Sequence, residues 1–160
     1  MATRQTHILL HAIDEAYDRR AWHGTNLRGS IRGLTPLQAA WRPAPRRHNI
    51  WEIVVHAAYW KYAVWRRLEG APRGSFPVKG TNWFRRPVEV SEKAWRDDVA
   101  LLEEMHRRAR DAAARLPEGA LLKTARSGKW TNLRLIAGMP LHDVYHAGQI
   151  QLLKRLQKRL

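Results

Sequence analysis

Apolar residues recur every three or four positions in four long runs of this chain, and in none do they alternate with period two. That rhythm restricts the chain to a fold built from helices, because a half-buried strand would show period-two patterning. The first run covers about residues 3–21, with Ile8, Ala12 and Ala16 beside Leu9 and Ile13 at core spacing, and stops before His23-Gly24. Residues 24–47 carry three glycines and three prolines and read as loop, with one helical turn at Pro36 to Ala40. The second run opens at Asn49, followed three residues later by Glu52 in the manner of a capping box, and continues to about Glu69, with Gly70 just beyond. Residues 70–90 have no sustained period and form a connection long enough to carry function. Ser91 caps the third run, which keeps Trp95, Val99, Leu102, Met105, His106, Ala109 and Ala113 on one side until Leu116-Pro117. The fourth run spans about 131–158, where Gly138 and Pro140 predict a kink or a break. Together these runs predict an all-α four-helix bundle, a single domain over residues 1–160, with one or two long connections.

A chain of 160 residues buries enough surface to need no covalent staple, and this one has no cysteine. A disulfide framework, a thiolate metal site and a cysteine nucleophile are thereby excluded, so any metal here is held by His, Asp or Glu. The apolar runs of the N-terminus are too short for a secretory signal or a membrane span, so a cytoplasmic protein is expected. A formal charge of +15 favours nucleic acid, acidic lipids or anionic small molecules as partners. The basic residues are scattered in doublets from Arg19-Arg20 to Lys158-Arg159 rather than gathered on one arm. Such scatter favours a solvated surface over a dedicated nucleic-acid interface.

Histidine is the remaining ligand type, with eight in the chain. His142 and His146 stand about 40° apart around a helix, one turn from each other, on the stripe that continues through Gln149, Ile150 and Leu153. Both imidazoles therefore point into the bundle, where without partners they would cost several kcal/mol. A third donor on another inward face is His56, in the stripe Ile53, His56, Trp60 and Val64. Three neutral imidazoles from two helices make a metal site with an open position. His7 and His11 have the same spacing at the edge of the first helix's apolar face. Periodicity alone leaves a metal triad and a hydrogen-bonded core both open.

Two segments carry a resemblance that favours the metal. WRPAPRRHNIWEIVVHAAYWKY, residues 41–62, and HDVYHAGQIQLL, residues 142–153, taken together resemble the DinB/YfiT-like superfamily of metal-binding four-helix bundles. The similarity extends over residues 3–158. It implies a bundle with long crossover connections, one divalent metal, zinc or nickel, on His56, His142 and His146, and a homodimer. It also implies an activity of the S-transferase or hydrolase type, in which metal-activated thiol or water attacks a small molecule; the charge of +15 favours an anionic one. Lacking cysteine, the chain would import a low-molecular-weight thiol. Gly138-Met139-Pro140 departs from the pattern, because a helix restarting there would put His142 in its first turn.

Subsidiary roles follow from position. Glu52, one turn before His56, is a candidate general base or the N3 member of the cap. Gln149 is placed to bond a ligand imidazole, to bind substrate or to pack between helices, and Asp143 to orient a ligand or face solvent. His23 is a candidate for the pocket mouth or an ordinary loop histidine, while His48 and His106 receive no role. Of the eight tryptophans, Trp22, Trp41, Trp83 and Trp130 lie in or beside connections, placed to wall a pocket or a dimer face. The alternative to an enzyme is a basic stress- or DNA-damage-associated binding protein with a structural or vestigial metal site.

Overall fold

The computed structural model describes residues 4–117, 119–125 and 128–158; Thr3, the expected first residue of the first helix, and Arg159 of the basic tail lie outside them. Among the described residues six helices follow one another: α1 (Arg4–Tyr17), α2 (Leu27–Ser30), α3 (Pro36–Ala40), α4 (Ile50–Glu69), α5 (Glu92–Ala114) and α6 (Asn132–Gln157). No strand occurs among the described residues, only one isolated β-bridge between Thr124 and Thr131. No described helix is long and apolar enough to cross a membrane.

Local chemistry sets these boundaries. The side chains of Asn49, Ser91 and Thr131 accept from the backbone N–H groups of Glu52, Ala94 and Arg134, filling the orphan donors at the starts of α4, α5 and α6. Gly70, at φ +71°, closes α4 with the left-handed turn that a residue without Cβ adopts freely. A complete capping box occurs at Thr35 and Gln38 on α3. At Asn49 only the asparagine half forms, because the Glu52 carboxylate is drawn away to Arg42 and His48.

Helix α4 is the central element, packed against both α5 and α6, while α1 lies against α6 and α5. It is buried on nearly every side from Ile50 to Val64, whereas α5 buries one stripe from Trp95 to Ala113. One apolar cluster joins Trp51, Val54, Trp95, Leu102 and Ile150; a second joins Ile13, Val64, Ala109, Ile136 and Met139.

Two expectations are corrected. The core face of α1 is Leu10, Ile13, Ala16 and Tyr17; Ile8 is 68% exposed and Ala12 faces solvent. The segment has apolar residues at 8, 9, 10 and 13, compatible with two phases, and the stacking of Tyr17 on His106 of α5 at 3.5 Å accompanies the second. Nor is α6 broken: Pro140 lies inside one helix of 26 residues. A proline forfeits one backbone hydrogen bond and strains its turn, at roughly 3 kcal/mol, which a long helix docked on α1 and α4 can absorb. His142 consequently sits mid-helix, where its direction is fixed by the turns on either side.

Candidate metal centre

His56 reaches the centre from the second turn of α4, and the connection between α4 and α5 returns across it. Asn82 in that connection takes a left-handed backbone conformation, φ +64°, which asparagine tolerates better than most residues. Its carbonyl oxygen accepts a 2.7 Å hydrogen bond from His56 Nδ1, and its side-chain oxygen accepts one of 2.9 Å from Trp60 Nε1. Trp83 lies flat on the His56 ring at 3.8 Å and on the His48 ring at 3.7 Å, so the indole is sandwiched between two imidazoles. A connection that periodicity leaves blank thus orients and covers the His56 ring.

On α6, His146 donates from Nδ1 to Gln149 Oε1 at 2.7 Å. His142 Nε2 stands 3.0 Å from His146 Nε2 and 3.2 Å from His56 Nε2. A carbonyl-type oxygen on Nδ1 fixes the proton there, so the Nε2 atoms of His56 and His146 present lone pairs. His142 Nε2 carries one proton at most and can satisfy only one of those two lone pairs. An added proton is disfavoured too. Burial, reinforced by the neighbouring imidazoles, pushes His142 down to about 3; burial, against the pull of the Gln149 hydrogen bond, pushes His146 down to about 4. His56 is lowered by burial as well, although the Asn82 carbonyl opposes this.

A divalent cation satisfies this donor set directly. The three histidines offer one nitrogen each within 4.8 Å of one another. Tetrahedral nitrogen ligands at ~2.0–2.1 Å from zinc stand ~3.3 Å apart, close to the spacings seen. Hydrogen bonds from the far ring nitrogens to carbonyl oxygens are the outer partners that metal-bound histidines ordinarily have. These residues fit a three-histidine metal centre.

The other candidates divide. Gln149 bonds the His146 imidazole. Glu52 is not free to act as a general base: Arg42 grips both of its oxygens at 2.5 and 2.9 Å, and His48 adds a contact at 2.9 Å. Burial raises its pKa, yet the Arg42 and His48 hydrogen bonds outweigh this and hold it below the ordinary carboxylate range. His23 remains exposed in the first loop and takes no part in the ring cluster; His7 and His11 are exposed on α1. Asp143 neither orients a ligand nor faces water, because it is fully buried on Lys61. Sequence reasoning missed Asn82, the stacking of His48 and the Lys61 pair; the one available signal was an asparagine beside a tryptophan in an unusually long connection.

The outer hydrogen bond on α6 gives a measurable consequence. Gln149→Leu removes the acceptor that holds the His146 proton on Nδ1 and lowers zinc affinity by about 10–100-fold, with the metal-free fold retained. Competition against a chromophoric chelator measures this, and an unaltered affinity would show that Gln149 does not set the tautomer.

Searches of curated proteins and of solved structures return no match. A family model described as the DinB superfamily matches residues 18–150, a span that takes in α2 through most of α6 and includes all three histidines. Since the match covers most of the 160 residues, and the all-helical bundle agrees with it, the chain belongs to the DinB superfamily.

Proposed function

We propose that this protein is a metal-dependent enzyme of the S-transferase or hydrolase type, which activates a thiol or water on zinc or nickel at His56, His142 and His146. One observation carries the reading: three imidazole Nε2 atoms converge with two of the far nitrogens already committed to carbonyl oxygens. A divalent ion held there supplies Lewis acidity, which lowers the pKa of a water or thiol in the open position. The protein's own residues do the rest. Asn82 and Gln149 hold the rings in the ligating tautomer, Trp83 covers His56, and the half-buried His142 borders a cavity through which a small molecule can reach the centre. With no cysteine in the chain, a thiol nucleophile must be a separate low-molecular-weight molecule.

Cobalt-loaded protein tests this reading. Tetrahedral cobalt reports its ligands in the visible spectrum, and adding 2-mercaptoethanol produces a thiolate-to-cobalt band in the near ultraviolet if a thiol enters the open position. A spectrum that shifts with pH but ignores thiol selects water as the nucleophile. A spectrum indifferent to both means a closed, structural site and ends the enzymatic reading.

A further inference from the structure

A cavity of about 220 Å³ lies between α4 and the first half of α6, and His142 is one of its walls. Its apolar surfaces come from Trp60 and Val64 on one side and from Trp130, Leu135 and Met139 on the other. Three cationic side chains also line it: Lys61, Arg67 and Arg134.

These cations are not equivalent. Lys61 is committed to Asp143 at 2.5 Å. Arg67 and Arg134 have no carboxylate partner among the described residues, although Arg28, Arg42, Arg86, Arg110 and Arg115 all have one. The Nε of Arg67 is buried without a hydrogen-bond partner among the described residues, which leaves a strong donor unmet there. Arg134 lies over the Trp130 ring with its guanidinium carbon 3.7 Å from the centroid, so the indole face holds its charge in place. Two unneutralised guanidiniums beside an apolar wall are suited to a planar oxyanion with an apolar body, because the fork of N–H donors matches a carboxylate and the wall takes the remainder.

We propose that this cavity seats the small-molecule substrate as an organic carboxylate with an aromatic or branched apolar body. The carboxylate lies on Arg67 and Arg134, the body rests against Trp60, Trp130, Leu135 and Met139, and the reacting end faces His142. The word "substrate" rests on the metal-dependent reading above; the carboxylate seat itself needs no metal.

Calorimetric titration of the metal-free protein with 3-phenylpropionate, and with its neutral isostere 3-phenylpropanamide, tests the seat. The acid binds, and the amide binds about tenfold or more weakly, as expected when charge-assisted hydrogen bonds are lost. Arg67→Gln and Arg134→Gln each weaken the acid about fivefold or more, and Trp130→Ala weakens acid and amide alike. Arg32→Gln, at an exposed position away from the cavity, leaves both unchanged. Arg134 is itself largely exposed, so its variant keeps the fold even if Arg67→Gln does not. Equal affinity for acid and amide, wild-type affinity in Arg134→Gln, or no binding at about 10 mM ligand overturns the seat. Zinc content separates the two readings. Acid binding without zinc loading overturns only the metal, while zinc loading with equal acid and amide affinity overturns only the seat.

Discussion

Changing His142 to alanine abolishes stoichiometric zinc binding and leaves the metal-free protein folded. The wild-type chain is expected to take up one zinc per molecule, and free zinc at about 100-fold above the dissociation constant then stabilises the native state by ~2.7 kcal/mol. For a chain of 160 residues that raises the melting temperature by roughly 5–10 °C. His142 is the common neighbour in the cluster, its Nε2 lying 3.0 and 3.2 Å from the Nε2 atoms of the other two histidines, so its loss leaves two imidazoles without the atom that faces both. In the metal-free state the same substitution removes a half-buried ring whose Nε2 can satisfy only one of the two lone pairs that face it, and its cost is correspondingly small. Thermal melts with and without zinc, on protein made without a histidine tag, measure both effects. A wild-type melting temperature indifferent to zinc and nickel, or an alanine variant that shows the full shift, would falsify the assignment of His142 as a ligand.

The parts of this molecule that sequence reveals are those governed by local spacing. The caps at Asn49 and Ser91 and the inward stripe of α5 follow from hydrogen-bonding chemistry and a 3.6-residue period, both contained within each segment. His142 and His146 share a face for the same reason. Asn82 is different: its contact with His56 spans 26 residues of chain, and no periodic signal encodes the path of a connection. Asp143 escaped for another reason. It lies about 100° around α6 from His142, which on a helix packed against one neighbour would mean solvent. Helix α6 packs against α1, α2 and α4, so its inward arc is wide enough to bury both. At Pro140 the local rule predicted a kink or a break, and the helix runs on without the break.

Asp143 supplies the second large effect. Its carboxylate meets Lys61 Nζ at 2.5 Å, and both side chains are about 1% exposed. Burial pushes Lys61 down and Asp143 up, each toward its neutral form, while the attraction between the two opposes both shifts. Lys61→Met leaves a buried carboxylate with no counter-charge, and the expected loss is ~3–5 kcal/mol, read as a lowered midpoint in urea at pH 7. The double variant Lys61→Met, Asp143→Leu restores most of that stability, because two apolar groups of similar volume replace two desolvated charges. A loss below about 1 kcal/mol in the single variant would show that the pair is neutral or solvated. Position gives the pair its significance: Lys61 follows His56 on α4, and Asp143 follows His142 directly on α6. An uncompensated charge in either helix is costly, so the pair penalises any sliding of α4 against α6, the motion that would separate the ligand nitrogens. Zinc affinity in the double variant tests this registration. Apolar contact resists sliding less specifically than an ion pair, so affinity falls while stability recovers, whereas equal recovery of both would reduce the pair to a filler of the core.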